Sequence, residues 1–427
     1  MKVCAGKVLI IVQNLPVPFD RRVWLEAKTL RDYGLKISII SPKSKEFAKS
    51  YEMIEDIAVY RYKMPVEAEG VLSYLFEFAY AWLATAVLSL KVLWREGFDV
   101  LQACNPPDTY WLLGRFYKLF GKMFIFDHHD LSPEMFDAKY SGKPFLRRIL
   151  VWLEKKTFST ASLVICTNDS YKRVAIDRGL RKPEDVYVVR TGPDLKRLVK
   201  RKAEPARKYG RQHLVCYLGE MCPQDGVDGL LESVDYFLNR LSRRDTHFVL
   251  IGGGPAMPQL KRQSQEMGLS GFVTFTGRIS DEELCRYLST ADVCVDPDPW
   301  SEWSNYSTMN KILEYMAFAK PTVAFRLYEH QQSAGDAALY VRPNDTGLFA
   351  KAIADLLDDP KRREYMGRVG YERIRNHLSW EQTHKPLIAA YRRLSPLMNG
   401  NDKKRRQSMA IPNMSTKNIN AEFAEIN

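Results

Sequence analysis

The chain has 427 residues, 45% hydrophobic and 12% aromatic, which excludes a disordered or fibrous protein. Its length exceeds one ordinary core and sets two domains of about 200 residues as the expectation. The formal charge is +12, with 32 Lys/Arg against 23 Asp/Glu in residues 1–200, and a basic first half favours an anionic partner: a phosphorylated ligand, nucleic acid or an acidic membrane face.

The chain opens on MKVCAGKVLIIVQNLP, whose apolar run is too short for a signal sequence and reads as a first strand. The seven cysteines are odd in number, form no CxxC pair and mostly sit in apolar runs, as reduced core thiols of a cytosolic protein would. Strands are predicted at 7–12, 36–42, 57–62, 99–104, 123–128, 163–167 and 186–190, with helical segments between most of them. Continuous apolar strands alternating with helices mean a parallel sheet covered on both faces. Near residue 190 the turn Thr191-Gly192-Pro193-Asp194 and a polar, basic stretch interrupt the pattern. A second alternation follows: strands at 214–218, 247–251, 272–276, 293–296, 321–325 and 338–341, with helices at about 226–240, 256–267, 281–290, 308–318 and 346–357. The fold class is therefore α/β, as two tandem doubly wound Rossmann-like domains facing across a cleft. The last thirty or so residues, including Lys403-Lys404-Arg405-Arg406, lack periodicity and read as a disordered tail.

In such sheets ligands sit beyond the carboxyl ends of the strands. After the first strand Asp20 can cap a helix whose first turn carries Arg21 and Arg22. These arginines are either solvated and neutralised by Asp20, or forks for an anion beside free backbone N–H groups. Strand 123–128 ends in Asp127-His128-His129-Asp130, two histidines between two carboxylates, where chemistry is expected and Asp130 can orient an imidazole. No third metal ligand stands at useful spacing. In the second half Gly252-Gly253-Gly254 opens a helix, and Thr276-Gly277-Arg278 is another turn of close approach. Ser307 or Thr308 can cap the helix at 308–318, whose free N–H groups suit a diphosphate. Lys311 adds charge there, and Glu314, a turn further, can accept two hydrogen bonds from a ribose diol. The plainer alternative is a capped helix with a local Lys311–Glu314 pair.

Two segments raise the membrane question. Residues 71–94 are strongly apolar, but only 13 uncharged residues separate Glu77 from Lys91, fewer than a span needs. Residues 143–156 interleave apolar and basic side chains. Both read either as core helices or as helices touching an anionic bilayer.

In this order and spacing, the segments LIGGGPAMPQLKRQSQEMGL, VTFTGRISDEELCRYLSTADV and NKILEYMAFAKP resemble the retaining GT-B glycosyltransferases of glycosyltransferase family 4. PFDRRV, HHDLSPE and DGVD match a subgroup that commonly builds cell-surface glycans. The resemblance implies sugar transfer from a nucleotide-sugar donor to a glycan or lipid-linked acceptor, with retention of configuration and no bound metal or cofactor. It assigns Glu314 to the donor ribose, Gly252–Gly254 and Ser307–Lys311 to the diphosphate, Gly277 and Arg278 to the base, and His129 to the transferred sugar. Implied domains are an acceptor-side domain over 1–192, a donor domain over 193–377, a helix over 378–396 crossing back to the first domain, and the tail from 397. The expected location is the cytoplasm, with peripheral attachment to the inner membrane face as a candidate.

Three positions depart from the family. Glu220 follows Gly219 and Asp225 precedes Gly226 where many members carry Arg and Lys, and Tyr306 replaces a Glu eight residues before Glu314. Either Lys311, Arg278 or Arg21 and Arg22 meet the phosphate charge, or the chain is an inactive nucleotide-sugar-binding relative. A metal-dependent transferase built on Asp296-Pro297-Asp298 is disfavoured by the tandem domains. Scattered basic residues without a motif argue against nucleic acid.

Overall fold

The computed structural model describes residues 6–64, 71–140 and 142–394, giving the backbone alone for 71–75. The tail expectation, Cys4 and the first five residues lie outside these.

The first lobe runs β1 (Lys7–Ile11), α1 (Arg21–Asp32), β2 (Lys36–Pro42), β3 (Tyr51–Ile54), β4 (Ile57–Tyr62), α2 (Val71–Arg95), β5 (Val100–Cys104), α3 (Trp111–Lys118), β6 (Met123–His128), α4 (Ser132–Lys139), α5 (Pro144–Thr160), β7 (Leu163–Cys166), α6 (Asp169–Asp177) and β8 (Val186–Val188). The second runs β9 (His213–Leu218), α7 (Val227–Asp235), β10 (Thr246–Ile251), α8 (Met257–Glu266), β11 (Val273–Gly277), α9 (Asp281–Thr290), β12 (Val293–Asp296), α10 (Glu302–Tyr306), α11 (Asn310–Ala317), β13 (Thr322–Phe325), α12 (Tyr328–Ala334) and β14 (Ala338–Val341). Helices α13 (Thr346–Asp358), α14 (Pro360–Arg373) and α15 (Trp380–Thr383) follow, then a last helix over 385–394.

The sheets have strand orders β3-β4-β2-β1-β5-β6-β7-β8 and β11-β10-β9-β12-β13-β14. All pairings are parallel except β3 on β4. Parallel strands are covered on both sides, which is why β4, β5, β6 and β10 are buried along their whole length. In the first lobe α1 lies on one face, where Val23, Ala27 and Leu30 join Val8 and Ile10. Helices α2, α3, α5 and α6 lie on the other, around Leu9, Tyr60 and Phe126. The C-terminal segment returns to the first lobe: Trp380, Leu387, Ala390, Tyr391 and Leu394 complete the core on the α1 side.

Strand order reverses at β1/β5 in the first sheet and at β9/β12 in the second. Ligand crevices of doubly wound sheets open beyond the carboxyl ends at such points. The segments there are 12–20 and 105–110 in the first lobe, and 219–226 and 297–309, which includes α10, in the second.

Candidate active site

The first-lobe wall starts from helix geometry. Asp20 caps α1 by accepting from the Val23 amide at 3.0 Å. Successive helical residues point about 100° apart, so Arg21 and Arg22 diverge. Arg22 is buried, and all three nitrogens of its guanidinium are engaged. Nε donates to His129 Nε2 (2.9 Å), Nη1 to the Val189 carbonyl (2.7 Å) and Thr191 Oγ1 (3.0 Å). Nη2 meets Asp127 and Glu26 at 3.0 Å each. Both sequence expectations for Arg22 are thus corrected: it is neither solvated nor open to an anion.

The last two residues of β6 and the two that follow have four different fates. Asp127 is buried and takes bonds from Arg22, from Gln102 Nε2 (2.8 Å) and from the Cys104 thiol (3.6 Å). Its carboxyl stays below the usual range, because His129 and Arg22 outweigh the burial that would raise it. Glu26 shifts the opposite way, well above the usual range, through burial first and Asp127 second. His128 is a core residue, its ring packed against Phe126, Phe158 and Tyr171. His129 is the partly exposed histidine, with Nε2 2.9 Å from Asp127 Oδ2. Nε2 faces both Arg22 and Asp127, and according to tautomer it accepts from Arg22 Nε or donates to Asp127 Oδ2. Asp127 is therefore the carboxylate that orients the imidazole, correcting the assignment to Asp130. Burial raises Asp130, countered by His129 and by the Trp303 indole of the second lobe.

Sequence reasoning missed Asn105. Its Oδ1 accepts from the backbone amides of His129 (2.7 Å) and Asp130 (3.2 Å), and its Nδ2 donates to the Asp130 carbonyl (2.7 Å). It fixes the turn that carries His129. Missed too was Tyr391, whose hydroxyl donates at 2.6 Å to Gln102 Oε1. Gln102 in turn donates to Glu26 and Asp127. No local signal announces either contact, since both cross long stretches of chain.

In the second lobe the glycine turn is built for close approach. A Cβ on Gly252 would stand 1.8 Å from the Gly219 carbonyl oxygen, and one on Gly254 2.5 Å from that of Met221. The Gly252 amide donates to Gly277, while those of Gly253 and Gly254 take no partner among the described residues. Arg278 stacks its guanidinium 4.9 Å from the Phe19 ring centroid, bridging the lobes.

The segment before α11 departs from expectation. The N-cap residue is Met309, with no side-chain cap, so neither Ser307 nor Thr308 caps the helix. Their hydroxyls instead join the lobes: Ser307 Oγ meets Tyr171 OH at 2.8 Å, and Thr308 Oγ1 accepts from Asn168 at 3.1 Å. Lys311 is buried between Asp298 (2.7 Å) and Asp296 (3.3 Å). Burial pulls its ammonium down, but the two carboxylates outweigh that and hold it well above its usual value. It pairs neither with Glu314 nor with open space. Glu314 sits at the cleft, its Oε1 accepting from Arg21 (3.1 Å) and Arg197 (3.0 Å). Asp281 accepts from the same two arginines at 3.2 and 2.5 Å. Lys311 and Arg22 are committed to buried carboxylates, whereas Arg21 and Arg197 lie between Glu314 and Asp281 at the cleft and Arg278 lies against Phe19.

Of the three departing residues, Asp225 and Tyr306 make local side-chain contacts, and the contact at Glu220 is through its backbone. Asp225 Oδ2 accepts from the Cys222 amide at 2.7 Å and shapes the turn into α7. The Glu220 carbonyl takes the Tyr217 hydroxyl, and Tyr306 stacks edge-on with Tyr328. Two groups have metal-ligand geometry, Cys104–Asp127–His129 and Asp296–Asp298–His330. A fixed cation already sits against each, Arg22 in the first and Lys311 in the second.

Two doubly wound lobes facing across a cleft define the GT-B class. A model described as Glycosyltransferase Family 4 matches residues 20–197, and one described as Glycosyl transferases group 1 matches residues 212–359. The chain belongs to the family 4 GT-B glycosyltransferases. Alpha-D-kanosaminyltransferase of Streptomyces kanamyceticus is 32% identical over 39% of this chain and 42% of its own length. The GDP-mannose-dependent alpha-(1-6)-phosphatidylinositol monomannoside mannosyltransferase of Mycolicibacterium smegmatis is 28% identical over 42% and 48%. The chain thus spans about half the length of these curated relatives. Sucrose-phosphate synthase from Thermosynechococcus elongatus superimposes with a TM-score of 0.71 at 20% identity, covering 91% of this chain and 99% of that one.

Proposed function

We propose that the protein transfers a sugar from a nucleotide-sugar donor to a glycan or lipid-linked acceptor, with retention of configuration and without a metal, in the making of a cell-surface polysaccharide. The observation that carries this reading is Glu314 at the cleft, facing the lobe that holds the His129–Asp127 pair at 2.9 Å. The nucleotide lies on the second lobe, its ribose on Glu314, and the acceptor on the first. Donor entry displaces Arg21 and Arg197 from Glu314, and the two guanidinium groups, still paired with Asp281, turn to the diphosphate. Together with Arg278 and the Gly253 and Gly254 amides, they stabilise the charge that develops on the leaving group. His129 Nδ1 contacts the transferred sugar, and the departing diphosphate oxygen receives the acceptor's proton, so no carboxylate nucleophile is required. The names of the curated relatives, one GDP-mannose-dependent with a lipid acceptor, support the class of substrates. Incubation with a panel of nucleotide sugars, reading nucleoside diphosphate release and the product's anomeric configuration by NMR, tests it. Binding without release across donors and acceptors would favour the inactive relative.

A further inference from the structure

Helix α2 is apolar in the wrong direction for a core helix. Its sheet-facing positions are small or polar: Ala81, Thr85, Ser89 and Val92 are buried. Its outward stripe, at helical spacing of four and three, is Phe76, Tyr80, Leu83, Val87, Leu90 and Trp94, all exposed, Val87 at 66% and Trp94 at 85%. The window Phe76–Arg95 has a mean hydropathy of 1.4, yet only 22% of it is buried. Burial in this lobe therefore does not explain the large side chains.

The two neighbouring helices repeat the pattern. On α3 and the residue following it, Leu112, Phe116 and Leu119 point outward at the same spacing, Leu119 at 80% exposure. On α5 the outward set is Phe145, Ile149 and Trp152. The helices adjoin: Ser89 Oγ lies 2.7 Å from Tyr117 OH, and Trp111 packs edge-on against Trp152. All three cover the same sheet face. The apolar stripes thus make one surface, and an exposed apolar area of this extent marks an interaction site.

Charge selects the occupant. Exposed cations border the stripes: Lys91 and Arg95 on α2, Arg115 and Lys118 on α3, Arg148 and Lys155 on α5. The acids of these three helices are Glu77 and Glu154, and Glu154 is buried against Arg178. A second copy of the chain would bring like charges together at this rim, whereas an anionic bilayer neutralises them. We propose that the α2–α3–α5 face docks in the plane of an anionic phospholipid bilayer, with its apolar side chains in the interfacial zone. Helix α3 starts beyond the carboxyl end of β5, the cleft side of the lobe, so the docked face reaches the rim of the cleft.

The full chain is tested by flotation with phosphatidylcholine vesicles and with vesicles of equal parts phosphatidylcholine and phosphatidylglycerol. Arg147 is a poor probe because it pairs with Asp137 and Glu134; the exposed Arg148 and Lys155 are better. Binding is expected to need the anionic lipid and to fall with salt. The pair Val87→Glu/Leu90→Glu and the pair Arg148→Glu/Lys155→Glu should each weaken it by about tenfold or more, with nucleotide affinity unchanged. Equal behaviour with both vesicle types at low salt would overturn the proposal. So would a dimer in light scattering that Val87→Glu/Leu90→Glu disperses. Vesicle binding is read without donor, so a protein that docks but transfers nothing would refute the transferase reading and leave this one standing.

Discussion

Replacing Glu26 and Asp127 singly and together exposes how the buried arginine beneath His129 is neutralised. Arg22 faces both carboxylates at 3.0 Å. Asp127 stays below the usual carboxylate range, while burial first and Asp127 second push Glu26 well above it. Glu26→Gln exchanges one neutral donor for another and should cost about 1 kcal/mol. Asp127→Asn removes the anion, but Glu26 can then ionise in its place, which limits the loss to about 1–3 kcal/mol. The double variant leaves a buried guanidinium with no anion, a loss of about 3–5 kcal/mol for the broken pair on top of the lost hydrogen bonds. An attraction of about 4 kcal/mol at 4 Å with an effective dielectric constant near 20 agrees. The double variant should thus exceed the sum of the singles by about 2 kcal/mol or more, measured on the first-lobe urea transition. The pH dependence has a fixed sign. A carboxyl with a raised folded pKa contributes stability that is complete below its unfolded value and is lost as pH rises through the folded one. Glu26→Gln should therefore gain on the parent protein as pH rises above the ordinary carboxylate range. Additive singles, or a difference that does not move with pH, would refute the shared-proton arrangement.

Glu314→Ala should weaken nucleotide binding by about 1.5–3 kcal/mol in a folded protein, read by titration calorimetry. His129→Ala should lower turnover far more than nucleotide affinity, a split visible in single-turnover and binding measurements made side by side. Turnover should survive EDTA; loss of activity restored by magnesium or manganese would point to the Asp296–Asp298–His330 group. Lys311→Met should lower stability by about 3–5 kcal/mol, since it strands two buried carboxylates, and thermal unfolding should register the drop.

The alternation of apolar strands and helices was readable because a strand covered on both faces needs an unbroken apolar run. Strand β3 escaped because YEMI is a short, half-exposed edge segment without such a run. The helix expected over 226–240 starts as α7 but closes its last five residues as a π-turn. At the site, Asp20 was legible because a cap is a local contact. Arg22 was not, because all its partners except Glu26 lie 105 to 169 positions away. Ser307 and Thr308 show the same limit: local spacing favoured a helix cap, but Tyr171 and Asn168 of the other lobe claim their hydroxyls. The partners of Lys311 escaped too, because its counter-charges, Asp296 and Asp298, come from the end of β12 and the loop after it.

The returning C-terminal segment has a bearing on how the molecule is made. Trp380, Leu387 and Tyr391 are part of the first lobe's core, yet they leave the ribosome after the entire second lobe. Until then the first lobe has an open apolar groove beside α1, and Gln102 lacks the hydroxyl that Tyr391 later supplies. The second lobe, whose sheet draws only on residues 213–341, can close earlier. The order of completion is therefore the reverse of the order of synthesis: the half made first finishes last, when the segment over 380–394 seats itself beside α1.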